Sequence, residues 1–469
     1  MTREVADLTT SPSEDLEDLA LRDDYALDPA YIEMVIDAAD RNDGKRLREL
    51  VGALHPADVA DLMGFLTADY REEIIPHLDP ESLAEIISEL EDNLRGEVLE
   101  AVPSATLAKV LEELDSDDAA DVVDDLDKRK RAQVLAAMPE TDRAAIETAL
   151  AYGDETAGRL MQREVLAAPQ FWTVGQTIDH VRASSEDLPE LFFDVYVVDP
   201  AYVPVGAVPV STLLRARRET ALHEIMEPVN EITVDQDQEE VAYIFDKYHL
   251  ISAPVVDDGG RLVGQITVDD IVGVVAEEAE EDVFALAGVS DAGRDATVWG
   301  IARSRLPWLV VNTVTAALAA GVIRAFEGEI AKLVTLAVLM PVVASLGGNA
   351  GTQTLAVAVR ALASRELNAA NAARIVLREM GVGLLNGLTL AVLMTAAVYF
   401  WLQDVRLCIT LAMALVINLF AASLAGILVP LALDRLGRDP AVSSPVLVTF
   451  VTDFMGFLSF LGLAALILL

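Results

Sequence analysis

Residues 443–460 read SSPVLVTFVTDFMGFLSF, an apolar run with one ionisable side chain, Asp453, near its middle. As a helix this stretch rises about 27 Å, close to the thickness of a hydrocarbon core. A carboxylate at that depth costs at least about 2.5 kcal/mol, and ionisable groups so placed mark ion pathways. No Lys or Arg of the apolar segments is positioned in the sequence to neutralise Asp453. The alternative is a protonated or capping Asp buried in a helix bundle; the cost of that burial favours a watery path.

Working outward, four more apolar segments accompany this one, at about 306–326, 332–360, 375–402 and 407–433, with the last at about 443–469. Each is long enough to span a bilayer. Arg303 and Arg305 precede the first, Arg360, Arg365, Arg374 and Arg378 surround the second connection, and Arg435 and Arg438 lie in the fourth. The opposite side has Arg324, Lys332 and Arg406. The positive-inside rule therefore predicts a cytoplasmic N-terminus and an external C-terminus, in the cell (inner) membrane. The single cysteine, Cys408, excludes an internal disulfide, and the N-terminus lacks the basic start and apolar core of a secretory signal.

Charge divides the chain near residue 300. Of 76 acidic residues in the 469, only eight lie beyond that point, so residues 1–300 set 68 acidic against 23 basic side chains. A polyanion of this kind repels nucleic acid and attracts cations. Residues 1–24 read as an acidic disordered tail. Over 25–153 the segments HPADVADLMGFL (55–66), DPESLAEIISEL (79–90), VPSATLAKVLEEL (102–114) and DSDDAADVVDDL (115–126) each open on a helix-start signal and continue with helical spacing. Their recurrence after about 24 residues predicts stacked helix pairs. FFDVYVVD (192–199), VPVGAVPV (203–210), SAPVVDD (252–258) and RLVGQITVDDIV (261–272) alternate with helical stretches and predict an internal α/β duplication over 154–220 and 221–282, with Gly206 and Gly264 in equivalent places. Residues 283–304 are expected to form a connecting helix, and 305–469 the membrane domain.

Several polar groups fit a cation path. One Asp cannot hold a divalent ion, whereas Mg²⁺ keeps an octahedral oxygen shell and much of its water. Two copies of Asp453 on the axis of a symmetric dimer would suit such an ion. The second span, MPVVASLGGNAGTQTLAVAVR (340–360), is read as interrupted at Pro341. Its freed carbonyls, Gly347, Gly348 and the amide of Asn349 are candidate pore lining, with Asn418, Thr449 and Thr452 as further polar candidates. A packing role for the small residues is the competing reading. Two acidic clusters, Asp117, Asp118, Asp121, Asp124 and Asp125, and Glu277, Glu278, Glu280, Glu281 and Asp282, would repel one another unless a cation lay between them.

PVVASLGGNAGTQTLAVAVRAL (341–362) and DPAVSSPVLVTFVTDFMGF (439–457), together with the tandem β-rich repeats and the repetitive helices, resemble the MgtE family of Mg²⁺ channels and transporters. The resemblance implies a multidomain fold: an all-α superhelical N domain, α/β tandem CBS domains, a plug helix and an α-helical bundle of five spans. It implies a homodimer in the lipid bilayer and a pore Mg²⁺ ligand at Asp453. Regulatory Mg²⁺ positions would be Asp117, Asp121, Glu239, Asp270, Glu278, Glu281 and Asp282. ATP is implied as a regulatory ligand, with Thr267 and Asp270 in a ribose-contact pattern and Thr212 departing from it in the first repeat. His249, Gly273 and Pro445 also depart from the family pattern. The expected activity is Mg²⁺ uptake gated by cytoplasmic Mg²⁺, not an enzymatic reaction. The alternatives are transport of another divalent ion such as Co²⁺ or Mn²⁺, with oxygen-only ligands and no His or Cys near Asp453 disfavouring soft-metal selectivity, and a non-conducting Mg²⁺ sensor.

Overall fold

The computed structural model describes residues 24–90, 92–184, 191–287, 298–367 and 371–468, with a few isolated positions besides. Most of the expected disordered tail, 1–24, lies outside the described residues, but its end is ordered, with Ala20 buried in the helical core and Leu21 paired to Leu27. The chain divides into two compact units, Met1–Val275 and Ala276–Leu469.

In the first unit ten helices follow one another: α1 (Pro29–Asp40), α2 (Gly44–Val51), α3 (Pro56–Phe65), α4 (Ala68–Ile74), α5 (Pro80–Ser88), α6 (Asp92–Ala101), α7 (Ser104–Glu113), α8 (Ser116–Asp125), α9 (Lys128–Ala137) and α10 (Glu140–Ala149). Their starts are fixed locally. Asp28 and Asp79 accept from the amides of Ala30 and Ser82 at 2.8 and 3.0 Å, each with Pro at the first helical position. Alternate helices touch, α3 to α5 to α7 to α9 and α4 to α6 to α8 to α10, which makes two rows of a superhelix. Lys130 ties the rows together. Its ammonium donates to the carbonyls of Leu99, Glu100 and Val102 at the end of α6, 2.5 to 2.8 Å away. Even the aspartate-rich α8 earns its helix, since Ala119, Ala120, Val122 and Val123 form a buried apolar stripe and its first-turn acids favour the positive helix end.

The short α11 (Ala157–Leu160) leads into β1 (Ala167–Pro169), α12 (Val174–Ala183), β2 (Asp194–Val198), β3 (Pro204–Pro209), α13 (Val210–Arg215) and α14 (Leu222–Ile225). The second copy has β4 (Ile232–Thr233), α15 (Gln238–Tyr248), β5 (Ser252–Val256), β6 (Leu262–Thr267) and α16 (Val268–Leu286). The sheets have the same topology, β1-β2-β3 and β4-β5-β6, one parallel and one antiparallel pair each. Their registers even shift at the same place, Val197/Val198 and Val255/Val256.

The two cores draw on each other's segments. Ala157 and Met161 pack with Ile232 and Val241 of the second copy, whereas Leu222 packs with Val195 and Val208 of the first. Gly206 and Gly264 explain the crossing. A Cβ on Gly206 would lie 2.9 Å from the Glu227 carbonyl oxygen, and one on Gly264 would lie 2.5 Å from that of Gln162. Only glycine admits the strand-like pairs Ala207 with Glu227 and Gln265 with Gln162.

Among its described residues the second unit holds five helices long and apolar enough to cross a membrane: α17 (Val298–Ala325), α19 (Thr335–Ala363), α20 (Ala372–Leu402), α21 (Val405–Arg435) and α22 (Pro440–Ile467), with the short α18 (Glu327–Lys332) after the first. α21 is central, packing on α19, α20 and α22. The expected connecting helix at 283–304 falls partly on residues outside the description. On its two sides, α16 runs unbroken from the second repeat to Leu286, and α17 already begins at Val298.

The expected interruption of the second span is not found. α19 continues through Pro341 and the glycines. A proline removes one helical bond, and tight packing on neighbouring helices offsets that loss. The glycines serve contact instead: Asn418 of α21 fills the space beside Gly347, and its amide donates to the Val343 carbonyl at 2.9 Å.

Candidate functional site

Two places gather the residues singled out above. The first is α22. Asp439 caps it, accepting from Ala441 N at 2.7 Å, and Asp453 follows about 20 Å along the axis. Thr452 is fully buried, its methyl facing Gly351 of α19 and its hydroxyl donating to the Thr449 carbonyl at 2.9 Å. The adjoining Asp453 is therefore turned off this packed face. It is half-buried, and among the described residues it has neither an ion pair nor a hydrogen bond. Of the other candidate lining groups, Gly347 is buried against Asn418, Gly348 and Thr449 are half-buried, and Asn349 is exposed together with Thr352 and Gln353 on α19. So Thr452 and Gly347 hold helices together, while Asp453 and Asn349 remain accessible. A second membrane-domain carboxylate, Glu379 of α20, went unnoticed in the sequence. It is buried and pairs with its neighbour Arg378 at 3.3 Å. The adjacent Arg-Glu letters were the available signal.

The second place is the junction of α8 with the β-rich repeats. Ser116 donates its hydroxyl to Glu164 at 2.9 Å and accepts from the Arg163 amide at 2.8 Å. Asp117 is only 7 % exposed, and its Oδ1 has no hydrogen-bond partner. It confronts Asp270, in the first turn of α16, whose Oδ2 accepts from the Thr267 hydroxyl at 3.0 Å. Thr267 and Asp270 thus form a helix-start cap. Asp121 does not share in this pair; Arg159 takes it up at 3.2 Å. Glu239 is exposed on the first turn of α15, and His249 ends that helix in the left-handed region at φ 53°. On the part of α16 that belongs to the second unit, Glu278 is half-buried and Glu281 exposed. Asp282 is half-buried, and burial with Asp439 nearby raises its carboxyl. Among the described residues no three His, Cys, Asp or Glu side chains converge as a metal cage. A carboxylate pair with an orphaned buried oxygen fits Mg²⁺ nonetheless, because that ion binds through one or two carboxylates and keeps its waters.

The electrostatics of this junction are unfavourable without a cation. Burial, then the charge of Asp270, raises Asp117 well above the usual carboxylate range. Burial, then Asp269, pushes Asp270 up to about 7, and burial, then Asp115, pushes Asp118 up to about 6. With α8 and the repeats apart, these groups return toward ordinary values, so the closed junction binds more protons than the open one. Closure is then most favoured below the ordinary carboxylate range and weakens as pH rises to about 7. In Mg²⁺-free buffer, lowering pH from about 8 to about 6 is expected to protect the 150–156 linker from protease. Asp270→Asn should flatten that response; an unchanged response in the variant would mean another group carries it.

A half-buried carboxylate without a partner among the described residues, on a bundle of five candidate membrane helices that follows a duplicated α/β module, points to the class of membrane ion-transport proteins. Residues 340–463 match the family described as divalent cation transporter, residues 54–155 the MgtE intracellular N domain, and residues 222–277 the CBS domain. Over 334 residues the chain is 37 % identical to the magnesium transporter MgtE of Thermus thermophilus, covering 70 % of this chain and 73 % of that protein. It is 32 % identical over 324 residues to the magnesium transporter MgtE of Bacillus subtilis, covering 68 % and 71 %. Among solved structures, the cytosolic domain of the Mg²⁺ channel MgtE in complex with ATP aligns with a TM-score of 0.50 at 32 % identity, over 52 % of this chain and 99 % of that one. The chain belongs to the MgtE family.

Proposed function

We propose that this chain moves Mg²⁺ across the cell membrane as a symmetric homodimer, with the two Asp453 carboxylates facing a hydrated ion on the axis. The observation that carries this reading is Asp453 itself, half-buried on α22 with neither an ion pair nor a hydrogen bond among the described residues, while Asn349, Thr352 and Gln353 are exposed on α19. Such groups are costly against lipid and need a water path or a second copy to face. The relatives named as magnesium transporters supply the cargo. The arginine pattern favours a cytoplasmic N-terminus and an external C-terminus. Cytoplasmic Mg²⁺ closes the path by binding between Asp117 and Asp270, with Asp282, Glu278, Glu281, Glu239 and Asp121 as further acidic positions of the sensing apparatus. ATP is proposed as a second ligand of the repeats at Thr267 and Asp270, since the cytosolic domain of a relative was solved in complex with ATP.

Purified protein in liposomes, with a Mg²⁺-sensitive dye inside, tests the reading. Flux is expected to fall as Mg²⁺ on the regulatory face rises. Asp117→Asn should weaken that inhibition about tenfold in concentration while leaving flux at low regulatory Mg²⁺ unchanged. Absence of flux from folded protein would leave the sensor reading; flux indifferent to regulatory Mg²⁺ would remove the gating and spare the pore.

A further inference from the structure

The acidic face of α8 is divided between two kinds of neighbour. At its start, Asp117 and Asp118 meet the carboxylates Asp270 and Asp269. One turn later, Arg159 places its guanidinium between Asp121 and Asp124, with N–O distances of 3.2 and 3.1 Å. The arginine comes from the other side of the junction. Its helix α11 is fixed to the second repeat by Ala157 N donating to the Gln236 carbonyl at 2.7 Å and Gly158 N to the Val234 carbonyl at 2.8 Å. Its side chain is only 10 % exposed. The guanidinium is thus already ordered and desolvated where two carboxylates meet it.

We propose that Arg159 is a resident cation of the junction, offsetting part of the charge of Asp121 and Asp124 at all times and thereby setting the Mg²⁺ concentration at which the Asp117–Asp270 side closes. This rests on the reading of Asp117 and Asp270 as the Mg²⁺-sensing pair. Mg²⁺ comes and goes with its concentration; Arg159 does not. With it in place, less acidic charge is left for the variable cation to offset. Without it, Asp124 keeps its 3.1 Å pair with Arg131, but Asp121 loses its ion pair across the junction and adds its repulsion and desolvation to the same closure, so more Mg²⁺ is needed.

The test uses full-length protein in detergent and follows protection of the 150–156 linker from a protease of broad specificity as Mg²⁺ is raised. Arg159→Gln is expected to move half-protection to about tenfold higher Mg²⁺, the factor that about 1.4 kcal/mol of lost junction energy gives, and to reach wild-type protection at saturation. Arg159→Lys keeps the charge but loses the fork, and should stay within about threefold of wild type. Equal half-points for Arg159→Gln and wild type overturn the proposal while leaving the sensing pair intact. So does an Arg159→Gln protein that stays unprotected at saturating Mg²⁺, since the arginine would then be only a structural tie. A wild-type protein whose protection ignores Mg²⁺ removes the sensing reading and this inference together.

Discussion

Asp453→Ala is expected to abolish Mg²⁺ flux, by about 100-fold or more, in protein that still folds and elutes as the parent does. Its side chain has no partner among the described residues, so removing it unmakes no structural bond, and it relieves α22 of a costly charge. What is lost is the negative field that draws a hydrated divalent ion into an apolar bundle. A 100-fold loss corresponds to about 2.7 kcal/mol of barrier, a modest share of the attraction between a divalent ion and a carboxylate across one water. Asp453→Asn keeps the shape and separates charge from size; it should be nearly as inactive. Dye-reported flux near the parent's in Asp453→Ala would place the ion path elsewhere.

Gly426→Leu is expected to prevent the membrane domain from assembling. Gly426 lies on the central α21, where a Cβ would stand 2.7 Å from the Gly351 carbonyl oxygen and 2.8 Å from the Thr354 Cβ of α19. Backbone cannot step aside, so the two helices must separate, and Gly351 loses its fit against Thr452 and Val448 as they do. Gly426→Ala alone should cost about 1–3 kcal/mol, the usual range for overpacking. Gly321→Ala is the control: on α17 nothing lies within 4 Å of the added methyl, and its effect should stay within about 0.5 kcal/mol. Thermal unfolding in detergent, followed by size-exclusion homogeneity, reads both. A stable Gly426→Leu protein would show that α19 and α21 are not held at this contact.

The Gly426 case shows why parts of the chain were legible and parts were not. Helix starts with Asp or His followed by Pro are local chemistry, so α3 and α5 could be located from the letters. Apolar length gave the five spans for the same reason. Gly347 in α19 carries two meanings, an opened backbone or a close neighbour, and only Asn418, distant in sequence, decides between them. The aspartates of α8 are likewise equivalent by spacing. The fold distinguishes them by bringing Arg159 to Asp121 and Asp124, Arg95 to Asp125, and Asp270 to Asp117. Arg159 was overlooked because its partners, Asp121 and Asp124, lie more than 30 residues away and no periodicity links them to it. The helical start of the first span at Val298 was missed because Arg303 and Arg305 interrupt the apolar run without interrupting the helix.

The crossing of the two β-rich repeats bears on how the protein is made. As the chain leaves the ribosome, the first core can close once residue 222 has emerged, but Ala157 and Met161 must wait for strands ending at Thr267. Their apolar side chains stay uncovered while about 100 residues are synthesised, some 5 to 20 s at ordinary elongation rates. A gene fragment ending at residue 220 would therefore encode neither repeat whole, and clones meant to isolate one of them must keep both.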